Sequence, residues 1–364
     1  MATITHRKQP EKQILVENPP SDAPIQKLND FYWTEHGEPH AIRRKLILKK
    51  YPHVTQLCGP EPLTKYIIFG VVSLQLAVAY HLRNVSFFTW EFFLLSYIIG
   101  ATANQNVFLA IHELSHNLAF KKPLHNKLYA IFTNIPIGIP YSASFQPYHQ
   151  LHHKYQGDEV LDTDLPTPYE AVVLSNIAGK AFFATFQIFF YAFRPMFITQ
   201  IKFTYIHLIN VVVQIVVDIL IVKNWGWNSL LYFIFSSFLA GSLHPCSGHF
   251  IAEHYILNPP ETYDPKTDAP PVETYSYYGP LNFFTWNVGL HNEHHDFPYV
   301  AWSKLHKLNE IAKEFYEDLP QHKSWVMVIV DFIFDERVLL YNRVKRISSK
   351  AVDSTKFVPE VTCM

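Results

Sequence analysis

Cysteine and charge are both scarce in this chain of 364 residues, which has only 3 cysteines and 17% charged residues. Cys58, Cys246 and Cys363 are too few and too scattered for a disulfide framework or a CxxC metal knuckle. A net charge of −1 supplies no long-range field suited to nucleic acid. The hydrophobic share of 49% and the aromatic share of 16% exclude a disordered chain.

No apolar segment follows a basic start at the amino terminus, so we expect no cleavable signal peptide. The mean hydropathy of +0.01 is an average over very apolar stretches and polar ends. Between residues 66 and 111 only Arg83 and Glu91 are charged, and they flank a break between 66–82 and 87–111. At about 1.5 Å per residue, each half can cross or nearly cross a hydrocarbon core of about 30 Å. This pattern predicts a transmembrane hairpin.

A second hairpin is predicted between residues 195 and 252, where the only charges are Lys202, Asp218 and Lys223. Its two spans are 203–222 and 228–250. The stretches 128–139 and 171–193 are also apolar, but the first is short and contains proline, and the second contains a lysine. We therefore expect both to be interfacial or re-entrant helices. Buried helices of a large soluble α protein are the alternative.

The predicted fold is an all-α membrane protein with four transmembrane helices in two hairpins, interfacial helices and a cytosolic histidine-rich di-metal cap. Basic tracts at 43–50 and 121–122 flank the hairpins on one side, which the positive-inside rule places in the cytosol. Two hairpins leave both termini on that side. The expected organisation is a cytosolic amino-terminal segment at 1–65, a membrane core at 66–300 and a cytosolic carboxy-terminal segment at 301–364.

Histidine is in surplus, with 20 in the chain, and three clusters contain eight of them. Within each cluster the spacings of three and four place imidazoles on one helical face, where they can converge on a metal. Eight imidazoles exceed the number that one ion can coordinate, so we expect two metals in one cavity. The eight predicted ligands, which are also the predicted catalytic residues, are His112, His116, His149, His152, His153, His291, His294 and His295.

The predicted topology brings all three clusters to one membrane face. Imidazole binds Fe, Zn, Cu and Ni alike, so the ligands alone do not identify the metal. A site at the cytosolic mouth of apolar helices would receive an acyl or long-chain-base tail. Oxidising its unactivated C–H bonds needs redox chemistry that zinc cannot supply, so the sequence favours iron with O2.

Two other function classes stay open at this point. The first cluster also matches the HExxH pattern of zinc metalloproteases, in which Glu113 would be the general base between His112 and His116. That interpretation explains only two of the eight histidines. The second class is a non-catalytic metal-binding or scaffold protein, which the spacing of all eight histidines disfavours.

His249 and His254 follow the last predicted span, and one of them could be a ninth ligand. Their five-residue spacing turns them about 140° apart on a helix, so we expect only one to bind metal, and we favour His254. The remaining histidines, including His40, are interpreted as surface or structural residues. Three carboxylates that follow the second and third clusters could orient imidazole N–H groups or be solvated loop acids: they are Asp162, Asp164 and Asp296.

With these motifs, the chain resembles the membrane fatty-acid desaturase and hydroxylase superfamily, whose HxxxH, HxxHH and HxxHH boxes surround a di-iron centre. It is more specifically similar to the sphingolipid Δ4-desaturases, or dihydroceramide desaturases. That similarity is carried by the blocks at 30–52, 112–117, 248–255 and 278–298. Glu253-His254-Tyr255 also resembles the ninth-ligand motif of alkane hydroxylases, which supports His254 as a metal ligand.

The resemblance implies a multi-pass enzyme of the endoplasmic reticulum membrane with two irons and its boxes facing the cytosol. Using O2, it would insert a trans double bond between C4 and C5 of the long-chain base of dihydroceramide. Electrons would come from a separate cytochrome b5 and its NADH-dependent reductase, because the chain has no His-Pro-Gly-Gly haem-binding element. The mechanistic alternative is C4 hydroxylation, alone or together with desaturation.

Overall fold

The computed structural model describes residues 30–348, and this part of the chain is mainly helical. Its α-helices are α1 Pro39–Lys50, α2 Leu63–His81, α3 Trp90–Leu94, α4 Thr102–Ser115, α5 Pro123–Thr133, α6 Ser142–Lys154, α7 Pro168–Leu174, α8 Ile177–Ile198, α9 Tyr205–Trp225, α10 Trp227–Ala240, α11 His249–Ala252, α12 His291–Asp296, α13 Leu305–Ile311 and α14 Trp325–Phe334. A π-helical segment, Leu95–Ala101, joins α3 to α4.

Shorter elements connect these helices. The 3-10 helices are Pro52–Leu57, Leu82–Asn84, Ile135–Ile137, Pro245–Gly248, Pro280–Phe283, Trp302–Lys304 and Lys313–Phe315. Four two-residue strands form two parallel pairs: β1 Tyr32–Trp33 pairs with β4 Val344–Lys345, and β2 Ser276–Tyr277 pairs with β3 Gln321–His322. The first pair joins the amino-terminal and carboxy-terminal parts of the described chain.

The described residues contain four helices that are long and apolar enough to cross a membrane. They are Leu63–Asn84, Trp90–Ser115, Ile177–Ile198 and Tyr205–Trp225. This confirms the predicted helical class. The count is four, or five if the bent pair at 227–252 is one span, and two assignments differ from the prediction. The segment predicted as interfacial forms the candidate Ile177–Ile198, and the predicted last span is broken.

The break separates α10 from the next helices, and the pair Trp227–Ala240 and Pro245–Ala252 bends by 42°. A continuous helix over 228–250 was therefore the wrong expectation. Gly241 follows the end of α10, and Pro245 begins the next helical turn. Glycine is a poor helix former and proline lacks the backbone N–H that a helix needs, so this stretch cannot continue the helix.

Helix α8 has polar side chains that form hydrogen bonds on the side that packs against α7 and α14. Lys180 Nζ donates to the backbone carbonyls of Asp335 and Val338 at 2.6 and 2.8 Å. Arg194 Nε donates to the Glu170 carboxylate at 3.0 Å. The opposite face exposes large apolar side chains, which include Phe182, Phe189, Phe193 and Phe197. A polar face opposite an aromatic face is typical of an interfacial helix. The helix is also long enough to cross a membrane, so its interfacial placement stays a prediction.

Helices α2, α4 and α10 are joined by buried amide and hydroxyl groups. Gln75 Nε2 donates to Asn104 Oδ1 at 2.9 Å and to the Gly100 carbonyl at 3.0 Å, and Tyr232 donates to Gln75 Oε1. Asn104 Nδ2 in turn donates to Ser237 Oγ at 2.9 Å. Polar contacts of this kind hold apolar helices together where no hydrophobic force distinguishes helix from lipid. They fix α4, whose last turn carries the first histidine cluster.

Candidate metal centre

Nine histidines converge where α4, α6, α12 and the end of α11 meet. The last turn of α4 supplies His112 and its C-cap residue His116. Helix α6 supplies three histidines from its last two turns, α12 supplies three from a six-residue helix, and His254 lies two residues beyond α11. The structure thus brings together all eight histidines of the three sequence clusters and the predicted ninth.

Five of these histidines form a first group, whose ligand nitrogens all lie within 4.8 Å of one another. The Nε2 atoms of His116 and His149 are 2.9 Å apart, and His153 Nε2 lies 3.0 Å from His149 Nε2. His294 Nε2 lies 3.1 Å from His153 Nε2. The group consists of His112, His116, His149, His153 and His294.

The second group contains His152, His254 and His295, again with ligand nitrogens within 4.8 Å of one another. His254 Nε2 lies 3.1 Å from His152 Nε2 and 3.0 Å from His291 Nε2. His291 therefore borders this group through His254. The two groups touch, because the rings of His153 and His295 stack with centroids 4.1 Å apart.

The donor set fits metal ions. His112 Nε2 and His295 Nε2 are buried and have no hydrogen-bond partner among residues 30–348, and a buried polar atom without a partner is costly. Burial lowers the pKa of His116 to about 3 and, against the opposing charge of Glu253, that of His291 to about 4. Such imidazoles are neutral at neutral pH, which is the form that binds metals.

A cavity runs from this cluster between apolar and aromatic side chains. It encloses about 920 Å³ of non-atom space, counting its opening to solvent. His112, His149, His152 and His291 line one part of it. The apolar lining includes Phe108, Tyr141, Phe145, Ile188, Tyr191 and Pro195. A long alkyl chain in this cavity would pass directly beside the histidine cluster.

Comparisons with known proteins agree with this arrangement. The family model described as fatty acid desaturase matches residues 88–325, and the one described as sphingolipid Delta4-desaturase matches residues 27–63. The chain is 64% identical over 353 residues to the sphingolipid delta(4)-desaturase of Komagataella phaffii, which covers 96% of this chain and 98% of that protein. The chain belongs to the sphingolipid Δ4-desaturase family.

Relatives in other organisms share most of the chain's length. The sphingolipid delta(4)-desaturase of Candida albicans is 62% identical over 355 residues, with 95% of each chain covered. The Homo sapiens sphingolipid delta(4)-desaturase DES1 is 42% identical over 320 residues, with 87% of this chain and 95% of that protein covered. Membership of the desaturase family confirms the resemblance drawn from the histidine boxes and the amino-terminal block.

Two of the desaturase histidines contact carboxylate or carbonyl oxygens through their Nδ1 atoms. Asp162 Oδ1 lies 2.8 Å from His152 Nδ1, and Asp162 Oδ2 accepts from the Gly157 N–H at 2.7 Å. His254 Nδ1 lies 3.1 Å from the Glu273 carbonyl. These contacts leave each Nε2 atom to face the cluster, which is how outer groups usually orient metal-binding imidazoles. The expectation that Asp162 orients an imidazole is confirmed.

The other two carboxylates do not touch the nine histidines in the expected way. Asp296 binds His40 and Arg43 instead, and Asp164 lines the cavity. His249 stays outside the cluster, because its ring nitrogens face Glu253 Oε1 at 2.9 Å and Gln105 Oε1 at 3.2 Å. The structure thus places His254, and not His249, in the cluster, and metal binding by His254 stays a prediction.

Sequence reasoning missed a contact between the amino-terminal segment and the third box. His40 is buried, its Nδ1 lies 2.8 Å from Asp296 Oδ1, and its ring lies 4.8 Å from the His295 ring. Arg43 donates to both Asp296 oxygens at 2.6 and 3.0 Å and to Asn292 Oδ1 at 2.8 Å. Both residues lie within 27–63, the part that matches the sphingolipid desaturase model. This segment therefore supports α12 through Asn292 and Asp296.

We expect Asp162→Asn to weaken metal binding by about 10- to 100-fold, as is usual when a residue that orients a metal-binding histidine is changed. The amide has one acceptor oxygen and cannot hold both His152 Nδ1 and the Gly157 N–H as the carboxylate does. Metal titration of the stripped protein measures the change. Asp318→Asn, an exposed carboxylate, is the matched control, and equal affinities of the two variants would contradict the assignment.

Proposed function

We propose that this chain is a di-iron sphingolipid Δ4-desaturase, which inserts a trans double bond between C4 and C5 of the long-chain base of dihydroceramide. The observation that carries the proposal is the meeting of nine histidines beside an apolar cavity, eight of them in two touching groups and His291 at the border of the second. Relatives that are 42–64% identical are named sphingolipid delta(4)-desaturases, which supports the same substrate class.

The proposed ligands follow the two groups, with His291, which borders the second group, added to it. His112, His116, His149, His153 and His294 would hold one iron, and His152, His254, His291 and His295 the other. When bound, the iron pair with O2 supplies the oxidising power that an unactivated C–H bond requires. The residues of the chain position the substrate. The apolar walls of the cavity exclude water and hold the alkyl chain, and a small shift in how it lies decides which carbon reacts.

Electrons would reach the site from a separate cytochrome b5 and its NADH-dependent reductase, and the enzyme would lie in the endoplasmic reticulum membrane with the histidine boxes and both termini in the cytosol. The basic residues at 43–50, next to the third box, support that orientation. In this proposal residues 1–65 are the amino-terminal sphingolipid-desaturase segment, 66–300 the desaturase core and 301–364 the carboxy-terminal segment.

The geometry around Glu113 disfavours the zinc-metalloprotease alternative. Glu113 Oε2 accepts from the Trp302 backbone N–H at 3.2 Å. Its other oxygen lies 3.9 Å from His112 Nδ1, on the side of the ring away from the unpartnered Nε2. A protease would need this carboxylate beside the metal-bound water. In this structure Glu113 instead accepts a hydrogen bond from the backbone at the start of the carboxy-terminal segment.

The proposal is tested by incubating membranes that contain the chain with dihydroceramide, NADH, cytochrome b5, its reductase and O2, and measuring products by mass spectrometry. We expect ceramide from the wild-type chain, a loss of about 100-fold or more for His294→Ala, and near wild-type output for Glu113→Gln. The amide keeps an acceptor for the Trp302 N–H, so the fold should tolerate it. No ceramide from the wild-type chain would overturn the proposal, and a 4-hydroxylated product alone would make the chain a hydroxylase.

A further inference from the structure

Asp164 lines the cavity and is half-buried, and within residues 30–348 its hydrogen bonds are made by its main chain and not by its carboxylate. Three other polar side chains that line the cavity are engaged by the protein. Tyr148 donates its hydroxyl to the Thr199 carbonyl at 3.0 Å, and Tyr191 donates to the Phe250 carbonyl at 3.0 Å. Glu253 faces His249 at 2.9 Å. Unlike these three side chains, Asp164 has acceptor oxygens available to a ligand.

The main chain of Asp164 is fixed from both sides. Its N–H donates to Asp162 Oδ1 at 3.0 Å, and that same oxygen lies 2.8 Å from His152 Nδ1. Its carbonyl accepts from Arg194 NH1 and from Arg343 NH1, each at 3.2 Å. Both arginines are buried. Their guanidinium groups thus hold the backbone and place positive charge near the carboxylate without hydrogen-bonding it. The carboxylate lies two residues from a group that orients a metal-site histidine.

Placing only an alkyl chain against this carboxylate is costly, because a polar group removed from water needs a hydrogen-bond partner. The substrate of the proposed reaction can supply one. In dihydroceramide the reacting C4 is bonded to C3, which carries a hydroxyl, and a second hydroxyl lies on C1. When C4 and C5 lie beside the histidine cluster, both hydroxyls must lie within a few ångströms of it. The cavity wall next to the cluster therefore has to receive the polar head as well as the tail.

From this we propose that Asp164 is a specificity-determining residue, whose carboxylate accepts a hydrogen bond from a hydroxyl of the sphingoid head and so sets which carbons reach the metal site. This inference rests on the proposed function. A hydrogen bond from a hydroxyl to a charged group discriminates strongly against an analogue that lacks the hydroxyl, because the carboxylate is then left unpaired. The same contact would fix the distance from the head to the reacting bond.

The test compares kcat/KM for dihydroceramide with that for its 1-deoxy and 3-deoxy analogues, in wild-type protein and in Asp164→Leu, Asp164→Asn and the exposed control Asp318→Asn. We expect wild-type protein and the control to prefer dihydroceramide over at least one analogue by about 10- to 100-fold. In Asp164→Leu that preference should fall to about 1. Asp164→Asn should lie between, because its amide oxygen still accepts a neutral hydrogen bond.

Binding of the same three lipids to the purified protein gives a readout that does not depend on turnover, and it should show the same loss of preference. If Asp164→Leu does not fold, the lipid-binding preferences of Asp164→Asn test the proposal instead. Unchanged preferences for both analogues in the variants would overturn the role of Asp164. If the wild-type chain forms no Δ4 product at all, the proposed function fails instead, and the two failures are distinct.

Discussion

His153→Ala is expected to lower the iron content of the purified protein by at least one ion per chain and its desaturase activity by about 100-fold or more. The imidazole lies at the junction of the two histidine groups. Its Nε2 is 3.0 Å from His149 Nε2 and 3.1 Å from His294 Nε2, and its ring stacks on His295. Residues that only orient ligands already contribute about 10- to 100-fold, so a ligand in this position should contribute at least as much.

The matched control is His306→Ala, an exposed histidine outside the cluster. It should keep both the iron and the activity of the wild-type protein. Iron is measured by elemental analysis and activity by ceramide formation, with thermal unfolding in detergent recorded for both variants. A His153→Ala protein with full iron and full activity would show that the first group is not a metal site.

Arg43→Met should destabilise the protein by about 3–5 kcal/mol and loosen the third histidine box. The Asp296 side chain is fully buried, and Arg43 is its bidentate partner. Removing one member of a buried pair leaves an uncompensated charge, which is far more costly than losing an exposed pair. His40 still faces Asp296 at 2.8 Å, so unfolding is expected to be partial around α12 and to appear as lost iron before lost secondary structure.

Arg337→Met is the control for this prediction, because its pair with Asp335 lies at the surface and the Arg337 side chain is 69% exposed. Exposed pairs contribute little, so we expect a much smaller loss of stability and no loss of iron. The double variant Arg43→Met with Asp296→Leu should lose less stability than the two single losses added together. Equal unfolding temperatures for Arg43→Met and Arg337→Met would contradict the assigned role of the amino-terminal segment.

The histidine site could be predicted from the sequence because its geometry is largely local. Spacings of three and four residues place two imidazoles on one face of any helix, whatever the rest of the chain does. His254 was also predictable, since its five-residue offset from His249 allows only one of the two to face the cluster. What spacing could not show is how nine ligands divide into two groups, which depends on the packing of α4, α6 and α12.

His40 and Arg43 could not be found in this way. Each lies more than 240 residues from its partner Asp296, so no local spacing in the sequence points to the contact. The resemblance of the block at 30–52 to the family identifies this segment in the sequence. It does not show which residues the segment contacts. The bend after α10 was also missed, because the apolar pattern continues through Gly241 and Pro245 although the backbone cannot remain helical there.

Metal analysis of the purified full-length chain tests the central claim most directly, because the proposed function requires each of the two adjacent histidine groups to hold an iron. Elemental analysis combined with Mössbauer spectroscopy gives both the amount and the kind of metal. We predict about two irons per chain, with the two ions coupled to each other. Zinc without iron, or a single ion per chain, would contradict the account.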